Sequence, residues 1–144
     1  MGRMFRLILA VVAGLVVGSA VNMALILVSG KVIAPPAGAD VTTAEGLRAS
    51  IHLFEPRHYL FPFLAHALGT FAGALTAAYL TPGRTAGPAY VVGGAFLLGG
   101  IANVIMLPAA PWFSALDLIA AYLPAAWLAH RIASRNAAAL PGDA

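Results

Sequence analysis

The chain has 144 residues, of which 61% are hydrophobic and only 9% charged, with mean hydropathy +0.90. Soluble domains carry about 25% charged residues, so this composition places the chain in a membrane and excludes an ordinary soluble enzyme. Its formal charge of +3 and pI near 9.8 come from scattered Lys and Arg with no basic patch, which argues against nucleic acid as a partner.

Four stretches are close to the ~20 apolar residues that cross a hydrocarbon core, at about 7–30, 59–81, 88–107 and 112–131. The first follows Arg3 and Arg6, and Gly18-Ser19-Ala20 resembles a cleavage site, but the apolar run continues through Val28. That is longer than a signal-peptide core, so it reads as a retained anchor. Its row Ala10, Gly14, Gly18, Asn22 recurs in the third span as Ala95, Gly99, Asn103, and the second span carries Ala65, Gly69, Gly73, Ala77. Small residues every four positions make a face on which helix backbones approach closely. There are no cysteines, hence no disulfide, thiolate metal site or cysteine nucleophile.

The segment 31–59 is too polar to span. Thr42 and Glu45 form a capping-box pattern, after which Ala44, Leu47, Ile51 and Phe54 recur at helical spacing, with Thr43, Glu45, Arg48 and His52 on the other side. This predicts a short amphipathic helix over about 43–54, on the outer membrane surface or over the mouth of the bundle, ended by Pro56. Within the same loop His52, Glu55 and His58 are ligand types that zinc uses, against the plainer reading of a solvated loop with a surface ion pair from Glu55 to Arg57 or Arg48.

Pro124 predicts a bend in the fourth span that frees the carbonyl of Ala120. His130, beside Arg131, is expected to snorkel. Residues 134–144, SRNAAALPGDA, are expected to form a disordered tail.

Arg3, Arg6, Arg84, Arg131 and Arg135 fall on one side of this topology, which predicts an inner-membrane protein with both termini cytoplasmic. Tyr59 and Trp112 then mark the outer interface, and Tyr79, Tyr90 and Trp127 the inner one. The fold class is all-α, an integral membrane four-helix bundle forming a single domain. The shared G-x-x-x-N and the match of FLAHAL (63–68) with SALDLI (114–119) suggest two tandem helix hairpins.

At about 1.5 Å per residue, Asn22 lies about 10 Å inside its span and His66, Asn103 and Asp117 about 6–8 Å inside theirs. Such groups are costly in lipid and should meet inside the bundle, joined by Thr70 and Ser19, as a polar pocket near the outer face. Asp117 is the strongest functional candidate and His66 its natural partner, with capping of its own helix start as the structural alternative.

The runs HLFEPRHYLFPFLAHALGTFAGA and GGIANVIMLPAAPWFSALDL resemble a family of uncharacterised small four-span bacterial membrane proteins. The resemblance covers most of the chain, implies the topology, and carries no activity. Small multidrug exporters match in size, but Asn22 stands where they place a glutamate.

Three functions fit these residues. One is an accessory or scaffold protein that binds another membrane protein, or a second copy of itself, through small-residue faces. The second is a small dimeric transporter or channel lined by Asn22, His66, Asn103 and Asp117. The third is a metal-binding membrane enzyme, with zinc as its cofactor. The inner halves of the spans are nearly free of polar groups, which favours the first.

Overall fold

A computed structural model describes residues 2–138. It is all-helical among those residues, with six α-helices: α1 (Arg3–Val32), α2 (Ala44–Ser50), α3 (Leu60–Leu80), α4 (Ala86–Met106), α5 (Pro111–Ala120) and α6 (Leu123–Ala138). Four segments are long and apolar enough to cross a membrane: α1, α3 with the turn before it, α4, and the α5–α6 pair. The loops 33–59 and 107–110 share one end of the molecule, here the loop end. The opposite end is the terminal end.

α3 lies at the centre, against α1, α4 and α6. It packs on α1 through the two small-residue rows. A Cβ built on Gly14 would stand 2.6 Å from the carbonyl oxygen of Gly73, and one on Gly18 2.7 Å from that of Gly69. Backbones this close leave room only for glycine. α4 closes over the crossing with Val92 and Phe96, and Gly93 admits Ala126 of α6. Toward the terminal end the core is Ala74, Ala77, Ala78, Val92, Ala126 and Ala133, all completely buried.

The α3–α4 turn puts Gly83 and Arg84 in the left-handed region, at φ 72° and 47°. Arg84 is held there although it is not glycine. Its guanidinium donates to the Ala133 carbonyl at 2.8 Å and lies 4.9 Å from the Tyr79 ring centre, tying the turn to α6.

The fourth apolar segment is broken, not merely bent, at Ala121–Tyr122. Pro124 has no N–H for the carbonyl of Ala120, and its ring crowds the preceding turn. Helical bonds resume with the Ala126 N–H on the Tyr122 carbonyl at 3.0 Å. α3 has no such break, so the two hairpins differ in their returning helices.

Several local expectations change. The amphipathic segment is α2 plus a 3₁₀ turn at Ile51–Leu53. Its N-cap is Thr43, whose hydroxyl accepts from the Gly46 N–H at 2.9 Å, and not Thr42. Thr42 is occupied by Asp40, which its backbone N–H and hydroxyl hold below the usual carboxylate range. Leu47, Ile51 and Phe54 are the sheltered side as expected, but Ala44 is exposed. Tyr59 is buried, because it stacks on Phe113 at 4.5 Å and meets Trp112 edge-on at 5.6 Å. Residues 134–138 continue α6, where Ser134 donates to the His130 carbonyl and the Asn136 amide to the Tyr79 hydroxyl. The rest of the expected tail, 139–144, lies outside the described residues.

Candidate functional site

α3 and α5 both begin at the loop end, and each carries its polar residue six positions in, about 9 Å along the axis. This brings His66 and Asp117 together. Nδ1 of His66 lies 2.8 and 2.9 Å from the two Asp117 carboxylate oxygens. The carboxylate accepts, so Nδ1 carries the hydrogen and Nε2 stays outside the pair. The Asp117 side chain is 3% exposed and that of His66 19%. Asp117 therefore does not serve as a first-turn cap: it lies in the second turn of α5, and its bonds go to side chains.

A third member is Tyr122, whose hydroxyl donates to Asp117 Oδ2 at 2.9 Å and whose ring stacks on His66 at 5.7 Å. In an unbroken helix a residue five positions after Asp117 would point about 140° away from it. The break at Ala121–Tyr122 turns the tyrosine back. α4 makes room with Gly100, since any side chain there would collide with the Tyr122 hydroxyl. The motif Tyr122-Leu123-Pro124 predicts the bend but not the direction in which the bend turns the tyrosine.

The other expected members of the layer behave differently. Thr70, one turn below His66, is fully buried, and its hydroxyl has no partner. Asn22 stands where a Cβ on Gly69 would meet its own Cβ at 2.9 Å, and its Oδ1 is buried without a partner. Asn103 is not in the layer. It lies one turn before the end of α4, faces outward, and its amide makes no hydrogen bond among the described residues. Gly99 and Ala95, on the same row, are exposed too. The row that α1 uses for packing is thus left open on α4, because Val92, Gly93, Phe96 and Gly100 form the packed side instead.

His52, Glu55 and His58 are not gathered as ligands, and no group of three metal-ligating side chains occurs among the described residues. The reason is local. The Glu55 backbone N–H donates to His58 Nδ1 at 2.9 Å, folding that ring into the protein, while the Glu55 carboxylate turns to Arg57 at 3.0 Å and His52 stays exposed. A cavity of about 370 Å³ opens at the loop end between α1, α2 and α3, and none of Asn22, His66, Thr70, Asn103 and Asp117 lines it.

The His66–Asp117–Tyr122 cluster joins α3 to both halves of the broken segment. The chain matches no protein-family model, no curated protein and no solved structure.

Proposed function

We propose that the chain is a multi-pass protein of the cytoplasmic membrane, a four-helix bundle with both termini in the cytoplasm and α2 on the outer surface. It acts as a non-catalytic interaction subunit, and its partner is a second copy of itself docked on α4. The observation that carries this reading is the uncovered Ala95–Gly99–Asn103 row. Its counterpart on α1 is consumed by α3, so the chain already uses this pattern to bring helices into contact. The Asn103 amide is both donor and acceptor and pairs with its own copy across a two-fold axis. The buried alanine core speaks against a conduit through one protomer.

Native mass spectrometry in mild detergent tests the proposal. The wild type should be a dimer. Gly99→Leu should be a monomer with unchanged helix content, since a Cβ at Gly99 meets nothing within 4 Å inside the protomer. A monomeric wild type, a different protein held in its place, or a dimer that survives Gly99→Leu would reject it.

One observation favours a second reading, an outward-facing ligand or transport site. Thr70 and Asn22 keep buried oxygens without partners near the His66 pair. Flux into liposomes that disappears with Asp117→Asn would select that reading.

A further inference from the structure

Arginines that are scattered along the chain are gathered by the fold. Arg3 and Arg6 open α1, Arg84 sits in the α3–α4 turn, and Arg131 and Arg135 lie toward the end of α6, so all of them stand at the terminal end. No acidic residue stands there among the described residues. The loop end is balanced by contrast, with Lys31, Arg48 and Arg57 matched by Asp40, Glu45 and Glu55. The ion pairs among the described residues are Arg57–Glu55 and His66–Asp117, and neither supplies a counter-charge to the terminal end.

Arg84 is the arginine whose position is most firmly set. Its turn touches α1 and α6 as well as α3. The backbone is left-handed, a costly conformation for this residue that the surroundings must hold. One end of the guanidinium, Nη1, donates to the Ala133 carbonyl, and its face lies over the Tyr79 ring, whose hydroxyl is fixed in turn by Asn136. Nε and Nη2 make no hydrogen bond among the described residues and are not closed off by burial. A planar guanidinium held in this way is ready to donate to the oxygens of a phosphate. Tyr79, Tyr90 and Trp127 are partly exposed at the same end, with Arg131 over the Trp127 ring at 5.1 Å. Such rings belong at the level of lipid headgroups, and that is where the missing anion should be.

We propose that the terminal end binds acidic phospholipid, with a lipid phosphate accepting from Nε and Nη2 of Arg84 and the other arginines adding attraction around it. The proposal rests on insertion of the chain in a membrane and not on the α4 dimer.

The test is native mass spectrometry of the full chain released from nanodiscs that contain phosphatidylglycerol and phosphatidylcholine in equal amounts. The wild type should retain phosphatidylglycerol in preference. Each arginine near an acidic surface contributes about a fivefold preference, so Arg84→Asn should lower the ratio by about that factor. Asparagine tolerates a left-handed backbone, so the turn should survive this change. Arg131→Gln, exposed on α6, tests the same end without touching the turn and should lower the ratio similarly. Removing three cations from the other end, in Lys31→Gln/Arg48→Gln/Arg57→Gln, should leave it unchanged. Equal retention of both lipids by the wild type, an unchanged ratio in Arg84→Asn or Arg131→Gln, or an equal fall in the loop-end variant would overturn the proposal. So would displacement of the lipid by millimolar glycerol phosphate, which carries the phosphate without acyl chains and would mark a site for soluble phosphate esters. The same spectra report the oligomeric state, so the lipid site and the dimer stand or fall separately.

Discussion

Gly14→Val is expected to cost about 3 kcal/mol or more of folding stability, the upper end of what overpacking a close-packed site produces. The first added carbon would stand 2.6 Å from the Gly73 carbonyl oxygen, 3.0 Å from the Ala77 Cβ and 3.0 Å from a Val92 methyl. A flexible side chain can swing away from such an intruder. A backbone carbonyl in the middle of α3 cannot, so α1 has to lift from α3 along the crossing that also holds Gly18 against Gly69. The effect is measured by unfolding in mixed micelles, with Gly94→Val as the control, because a Cβ at Gly94 meets nothing within 4 Å. Equal stabilities of the two variants would mean that the α1–α3 approach is looser than described.

Asp117→Ala is expected to lower stability by about 2–4 kcal/mol. Two magnitudes bound this figure. Removing one partner from a buried ion pair costs about 3–5 kcal/mol in soluble proteins, whereas hydrogen bonds between helices in a bilayer average about 0.6 kcal/mol each. Asp117 accepts from both His66 and Tyr122, and its loss strands two donors at once. The larger figure is therefore the better guide for alanine. Asp117→Asn keeps an acceptor and should cost less, and Tyr122→Phe, which removes one donor, about 1 kcal/mol. The same unfolding measurement orders these variants. Wild-type stability in Asp117→Ala would show that the cluster does not hold α5 to α3.

Much of this architecture is legible in the residue pattern, because helices whose backbones approach closely need small side chains where they touch. The rows at Gly14 and Gly18 and at Gly69 and Gly73 therefore locate the α1–α3 crossing. The pairing of His66 with Asp117 follows from depth, since each lies the same distance from the loop end. What the pattern does not carry is rotation about a helix axis where two faces are equally apolar. α4 has glycine on both sides, at Gly93 and Gly100 as well as at Gly94 and Gly99, and only three-dimensional packing decides that the first pair turns inward. Asn103 is carried outward by the same choice. Tyr122 was hidden for a different reason. Its contact with Asp117 exists only because the helix breaks between them, and a period of 3.6 residues cannot anticipate a side chain redirected by the break itself. The loop histidines were misleading because spacing cannot tell that a backbone N–H takes the ring nitrogen first, as Glu55 does with His58.

The most direct test of the interaction role is cross-linking through introduced cysteines in native membranes, which is clean because the chain has none of its own. Gly99→Cys places a thiol on the open row of α4, and Ile101→Cys places one on an exposed part of the same helix away from that row. Docking of a second copy on the row predicts an oxidised dimer from Gly99→Cys and none from Ile101→Cys. Cross-linking at neither position, or equally at both, would contradict it.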